Sequence, residues 1–275
     1  MILTAENYYS QEANRTYFSA SQIKALMDCE SRAAAELNGD YEREPSTALL
    51  VGGYVDAYFS GEIGEYAACH PEILTRKGEL RADFLKAEEI IARIERDDLA
   101  KRMLSGEKQR ILTGMIFGVP FKAKMDCLLS QQNVASIYES YPDMTELMYA
   151  GGAIVDLKIM KDFEPKYRDG AGRLNFIEYW RYDVQMAIYQ ELMRQQCDER
   201  LPCYILAATK EKNPNIGLFQ VPQALMDADM EILSERMPHF SAVKEGKESP
   251  CECGLCDWCR QSKVLTCATW LEEWA

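Results

Sequence analysis

The sequence predicts an α/β protein, with one mixed central sheet flanked by helices. Two observations carry this expectation. The hydrophobic period changes along the chain, from helical to two and back, in the order helix, strand, strand, strand, helix, strand. In addition, 275 residues that are 47% hydrophobic and 10% aromatic can bury a large core rather than stay disordered.

Taken in order, "FSASQIKALMDCESRAAAELNG" (18–39) reads as one helix, with Ser19 or Ser21 as N-cap and Gly39 as the stop. "ALLVGGYVDAYFSG" (48–61) is a second apolar helix, interrupted by Gly52 and Gly53. Residues 81–106 read as a solvated amphipathic helix with a stripe of Leu85, Ile90, Ile91, Ile94 and Leu99. The period then becomes two. "KQRILTGMIFG" and "VPFKAKMDCLLS" read as two strands joined by a short turn around Gly118 to Pro120. "GGAIVDLKIM" (151–160) is a third strand, and the polar stretch 161–173 is a loop. Residues 175–196 form a strong helix capped by Asn175. A buried strand (202–210), a short strand at "GLFQV" and a helix (222–246) follow.

The third strand poses a problem. Strand side chains alternate between faces, so Asp156 and Lys158 share one face of a segment otherwise built from Ile, Val, Leu and Met. A buried ion pair costs several kcal/mol per charge unless it is compensated, on the order of magnitude expected for desolvated ions. A structural salt bridge at a strand end would explain the pair. The neighbouring elements favour chemistry. On the preceding strand, alternation places Lys122, Lys124 and Asp126 on one face and Ala123, Met125 and Cys127 on the other. If the two strands pair, Asp126 and Asp156 converge into an all-oxygen site suited to Mg²⁺ or Mn²⁺. Such a site could activate water against a phosphodiester, with Lys158 beside it. On the following helix, Gln185 and Tyr189 share a face, with Tyr182 a turn earlier.

Asp126, the Asp156–Leu157–Lys158 triplet and the Gln185-to-Tyr189 spacing together resemble the PD-(D/E)XK nuclease pattern in its RecB-like form. The resemblance is nearest to phage and prophage exodeoxyribonuclease VIII-like (RecE-like) enzymes and spans residues 15 to 262. It implies a restriction-endonuclease-like αβββαβ core and metal-dependent hydrolysis of DNA, with double-stranded ends as substrate and phage-type recombination as the setting. Asp126 and Asp156 would be Mg²⁺ ligands, with the Leu157 carbonyl as a further one. Lys158 would be the catalytic lysine, and Gln185 and Tyr189 the helix motif. RecB-like members place a His four residues after a Gly in an N-terminal helix; here Gly52 is followed by Asp56, itself an acceptable Mg²⁺ ligand. Neither His70 nor His239 falls in a motif. The resemblance also implies a single-strand annealing protein as partner and assembly as a homo-oligomer.

Ten cysteines are many for a chain expected to be cytoplasmic. Cys251, Cys253, Cys256 and Cys259 crowd into nine residues, which in a reducing compartment reads as metal binding before disulfides. Some RecB-like relatives hold an iron–sulfur cluster with one N-terminal and three C-terminal cysteines. Cys29, Cys253, Cys256 and Cys259 resemble that layout, as ligands of a [4Fe–4S] cluster or Zn²⁺. A local zinc site of Cys251, Cys253, Cys256 and Cys259 is the alternative. Cys69, Cys127, Cys197 and Cys203 read as plain buried residues. The expected organisation is a nuclease domain over 1–250 and a Cys-rich staple over 251–275.

The net charge of −13 argues against a protein that coats nucleic acid, though not against one that grips it in a cleft. Lys161, Lys166, Arg168, Arg173 and Arg181 are the candidate phosphate contacts. The N-terminal residues lack the basic and apolar regions of a signal peptide, and no apolar run is long enough to span a membrane. Two rival readings stand beside the nuclease. One is a catalytically silent DNA-binding relative. The other is a structural or redox metalloprotein centred on the cysteines.

Overall fold

A computed structural model describes residues 1–43 and 46–265. The Trp-containing tail and Cys267 lie outside the described residues. The helices are α1 (Gln11–Thr16), α2 (Ala20–Asp28), α3 (Glu30–Asn38), α4 (Thr47–Ser60), α5 (Ile63–Cys69), α6 (Ala82–Glu95) and α7 (Asp98–Met103). After the first two strands come α8 (Gln131–Ser140), α9 (Phe176–Tyr179), α10 (Tyr182–Cys197), α11 (Gln223–Lys244) and α12 (Asp257–Gln261). The strands are β1 (Glu107–Ile116), β2 (Val119–Ser130), β3 (Gly152–Met160), β4 (Lys166–Arg168), β5 (Gly172–Leu174), β6 (Cys203–Thr209) and β7 (Ile216–Gln220). The main sheet has the order β1-β2-β3-β6-β7; only β3 and β6 run parallel. The expected mixed sheet flanked by helices is therefore present.

Both faces of the sheet are covered. One core packs α2, α10 and α11 against Phe121, Ala123, Met125, Ile154, Ile205 and Ala207. The other packs α4, α6, α7 and α8 against Cys127, Leu129, Val155, Leu157, Leu206 and Ala208. This double burial explains why β3 and β6 read as nearly unbroken apolar runs. β1 and β2 are joined by Phe117 and Gly118, both with positive φ (51° and 77°), the conformation that tight hairpins of this twist require.

Several expected elements differ. The helix over 18–39 breaks at Cys29, which is extended at φ −164°, ψ 108°; Ser19 caps α2 and Gly39 ends α3. The helix over 81–106 divides where the Asp97 side chain caps α7. Its buried stripe includes Phe84 and Ala87, whereas Leu85 is 54% exposed. Asn175 caps only the short α9; Arg181 then turns left-handed (φ 53°) before α10. The loop 161–173 contains the β4–β5 hairpin. α1, α5, α8 and α12 match no element that the sequence pattern predicts. Cys127 and Cys203 are buried as expected, but Cys69 and Cys197 are exposed.

The consequential departure is in β2. Ala123 and Met125 face one core, yet Cys127 faces the other, so the alternation expected through Asp126 breaks there. β2 pairs with β3 only from Cys127–Val155 to Ser130–Gly152. Further back along β2, the N-terminal segment takes the place of β3: Phe18 bridges Phe121, with Phe18 N–H donating to the Pro120 carbonyl and Lys122 N–H to that of Phe18. The two strands part beside Asp126 and Asp156.

Candidate active site

The register that pairs Cys127 with Val155 sets Asp126 opposite Asp156, at the first step where the ladder is open. There the Asp126 side chain replaces a missing backbone acceptor, its Oδ2 taking the Leu157 N–H at 2.9 Å. In extended backbone the N–H and C=O of one residue point the same way across the sheet, so the Leu157 carbonyl faces the same gap.

Asp156 is 1% exposed. Its Oδ1 accepts from Gln185 Nε2 at 2.6 Å, and its Oδ2 is ion-paired with the Lys158 ammonium. The Gln185 amide is fixed from both ends. Its Oε1 accepts from Lys24 Nζ at 2.8 Å, which dictates that Nε2 faces Asp156. Tyr189 accepts a weaker bond from Gln185 at 3.3 Å and donates to the Lys124 carbonyl at 3.2 Å. Lys24 and Lys158 both lie 5.1 Å from the centre of the Tyr182 ring. From α4, Asp56 joins the same field, both its oxygens accepting from Gln109 Nε2 at 3.1–3.2 Å. Gln109 reaches it from a left-handed backbone (φ 52°).

The electrostatics are those of too many acids in one place. Burial first, then Asp156 and Asp56, raise Asp126 well above the usual carboxylate range; Lys158 and the Leu157 N–H only partly oppose this. Burial also raises Asp56, against the pull of Lys158. For Lys158 burial works against the charged form, but Asp156 and Asp126 outweigh it and raise the lysine. Tyr189 is held as the neutral phenol by burial and by the two acids.

These residues fit a hard divalent cation. Three carboxylates face one closely paired lysine, so the cluster holds more negative charge than that lysine balances, and its donors are all hard oxygens. As a set of three, Asp56, Asp126 and Asp156 do not come within 4.8 Å of one another among the described residues. Sharing one ion would require the three to draw together.

Lys24, Gln109 and Tyr182 complete this arrangement beyond the residues singled out by motif. Lys24 is a lone lysine beside the buried Ile23, and no spacing marks it. Lys122 leaves the site altogether: it is 1% exposed and buried against the N-terminal segment. Of the candidate phosphate contacts, Lys161 and Arg173 are exposed. Lys166 pairs with Asp162 at 3.4 Å, Arg181 with Asp28 at 3.4 Å, and Arg168 donates to the Tyr179 carbonyl. His70 packs on Tyr66, and His239 bridges Glu30 and Glu248.

Apart from these residues, the break between α2 and α3 meets the segment that follows α11. The sulfurs of Cys29, Cys253, Cys256 and Cys259 lie within 4.8 Å of one another. Cys29 is 3.5 Å from Cys259 and 3.7 Å from Cys256, and Cys253 is 3.9 Å from Cys259. Cys251 stays outside this group, its N–H donating to Glu30 at 2.9 Å. The Cys253 sulfur accepts the N–H groups of Leu255 (3.4 Å) and Cys256 (3.3 Å). Burial would raise this thiol, but those N–H groups prevail and bring it down to about 6, a thiolate ready to bind metal. A single tetrahedral ion with metal–sulfur bonds of about 2.3 Å sets its ligands roughly 3.8 Å apart, close to the spacing found.

With this geometry in view, the comparisons are direct. Residues 19–137 and 143–262 match the family described as "PDDEXK-like domain of unknown function (DUF3799)". No curated protein matches the sequence. Among solved structures, a crystal structure from Eubacterium rectale named "Putative exonuclease" superposes with a TM-score of 0.86 at 42% identity, covering 100% of this chain and 98% of that one. The chain belongs to the PDDEXK-like family, and its fold is that of the PD-(D/E)XK nucleases.

Proposed function

We propose that the protein is a divalent-metal-dependent DNA exonuclease that hydrolyses phosphodiesters at Asp126, Asp156 and Lys158. The observation that carries this reading is the opening between β2 and β3, where two acids and a lysine meet beside the apolar cores that cover the sheet. Asp126, Asp156 and the Leu157 carbonyl would hold Mg²⁺ or Mn²⁺, with Asp56 as an additional ligand; when bound, the ion polarises the scissile phosphodiester and acidifies water. Lys158, kept charged by its two acids, orients the attacking water and offsets charge that develops on the phosphoryl oxygens. Gln185 fixes Asp156, and Lys24 and Tyr189 fix Gln185. Lys124, whose ammonium makes no hydrogen bond or ion pair among the described residues and lies 5.7 Å from the centre of the Tyr9 ring, joins Lys161 and Arg173 in meeting the DNA backbone.

Exonuclease rather than internal cutting is supported by the name of the Eubacterium rectale relative. The motif arrangement supports double-stranded ends as substrate, a cytoplasmic role in phage-type recombination, a single-strand annealing partner and a homo-oligomer. Among the described residues no helix is long and apolar enough to cross a membrane. The four-cysteine group is proposed as a structural metal centre joining the Cys-rich segment after α11 to the nuclease domain. Its sulfur spacing favours one zinc ion. The layout of one N-terminal and three C-terminal cysteines is what a [4Fe–4S] cluster would share. Elemental analysis decides between them: one zinc per chain supports the spacing argument, and four irons with a brown colour overturn it. The nuclease reading is tested by degradation of linear duplex DNA in Mg²⁺ and in chelator. Loss of activity in Lys158→Met with DNA binding retained supports it, and full activity in that variant refutes it.

A further inference from the structure

The four-cysteine group leaves Cys251 aside, and the nuclease reading uses neither of the chain's two histidines. The fold sets Cys251 and one of those histidines together. The ligand atoms of Glu30, His239 and Cys251 all lie within 4.8 Å of one another, in a group separate from the four sulfurs. Each comes from a different segment: Glu30 from the first turn of α3, His239 from α11 and Cys251 from the stretch that follows α11. Glu30 is 7% exposed. Its Oε2 accepts from the Cys251 N–H and lies 2.9 Å from His239 Nε2. Cys251 is held through both of its backbone groups, because its carbonyl accepts from the Ser31 N–H at 3.0 Å. Its thiol is exposed, yet the backbone that carries it is fixed. The charge of Glu30 pushes that thiol up, so the acid and the sulfur share one field.

The other ring nitrogen of His239, Nδ1, meets the Glu248 carboxylate. Glu248 is placed by the turn after α11, where its N–H donates to the Ala242 carbonyl at 3.3 Å. A histidine that ligates a metal ordinarily gives its far N–H to such a carboxylate, which fixes the ring and raises its basicity. A proton shared between His239 and two glutamates would explain the histidine, and it would leave Cys251 without a part. One imidazole nitrogen, one carboxylate oxygen and one thiolate form a borderline donor set, suited to Zn²⁺ rather than to Mg²⁺. Tetrahedral zinc sets such atoms about 3.3–3.8 Å apart, so the three need to close by roughly an ångström. Binding would release the thiol proton. Three protein ligands leave a fourth position for water or an external ligand.

We propose that Glu30, His239 and Cys251 form a second metal site, for a borderline divalent cation such as Zn²⁺, with Glu248 orienting the histidine. It ties α3, α11 and the Cys-rich segment together at a point outside the four sulfurs. The test is titration of the purified full-length protein with Zn²⁺ against a chromophoric chelator. The expected result is one zinc per chain more in wild type than in His239→Ala or in Cys251→Ser, whatever the four-cysteine group holds. Glu248→Gln keeps all three ligands and should weaken that zinc by about 10–100-fold, the range for losing such a carboxylate. His70→Ala should bind as wild type does. Melting curves verify folding, and His239→Gln serves where the Ala variant does not fold. Equal zinc in wild type, His239→Ala and Cys251→Ser overturns the proposal. Loss in only one of the two variants overturns it as well. In Cys251→Ser alone it would return Cys251 to the neighbouring cysteine group, and in His239→Ala alone it would leave a surface site without sulfur.

Discussion

Replacing Cys29 by Ser tests whether the four sulfurs act as one staple. Cys29 and Cys259 are 230 residues apart in sequence and 3.5 Å apart in space. Closing a loop of that length would stabilise the fold by about 5 kcal/mol in the chain-entropy model of cross-links. The substitution should forfeit less than that, because other contacts still tie the ends together. Trp258 donates to Ser31 Oγ at 2.9 Å, Ser31 N–H to the Cys251 carbonyl at 3.0 Å, and Cys251 N–H to Glu30 at 2.9 Å. A loss of roughly 2–4 kcal/mol is expected, together with less bound metal. Urea denaturation gives the stability and elemental analysis the metal. Stripping the wild type of metal should cost a similar amount, and stripping Cys29→Ser should cost little more, because both remove one interaction. A Cys29→Ser protein with full metal content and unchanged stability would show that the C-terminal cysteines bind alone.

Lys158→Met should lower turnover on linear DNA by about 10²–10³-fold, the range for removing one preorganised transition-state donor, with affinity for DNA nearly unchanged; an equal rise in KM would place the lysine in substrate binding instead. Lys24→Met frees the Gln185 amide to rotate, so turnover should fall by roughly tenfold while KM holds, and Lys24→Arg should restore part of it. Identical loss in the Arg variant would mean that Lys24 serves packing alone. Lys244, at the end of α11, makes stability depend on pH. Burial brings its folded pKa down to about 7, below that of an unfolded lysine, so the unfolded chain binds more protons between about pH 7 and pH 10 and stability should rise across that window. Denaturation midpoints at pH 7 and pH 9 should separate more in the wild type than in Lys244→Met; equal separation would refute the assignment.

The parts of the site that obey strand and helix periodicity were legible in the sequence. Asp156 and Lys158 sit two apart in an apolar run, and Gln185 and Tyr189 sit one turn apart, so local spacing alone put each pair on a face. Spacing alone marked Cys251, Cys253, Cys256 and Cys259 as a cluster; that Cys29 joins the group and Cys251 leaves it came only from the family resemblance. What escaped depends on tertiary contacts. The backbone of Cys29 breaks a helix that its residues favour, because its sulfur turns toward the C-terminal cysteines. β2 changes faces at Asp126 because the N-terminal segment, not β3, flanks its first half. Lys24 and Lys122 carry no local mark, since a lysine beside a buried residue on a helix or strand is ordinarily solvated. Their roles come from Gln185, 161 residues from Lys24, and from Asn14, 108 residues from Lys122.

The central claim is that the gap between β2 and β3 cuts DNA. The most direct measurement is release of acid-soluble nucleotides from linear duplex DNA by wild type and by Asp156→Asn, each assayed with Mg²⁺ and with chelator. Asp156→Asn keeps the size of a side chain that is 1% exposed and removes its charge. The account predicts nucleotide release only by the wild type and only with the metal present. Release that persists in Asp156→Asn, or none from the folded wild type in either Mg²⁺ or Mn²⁺, would contradict it.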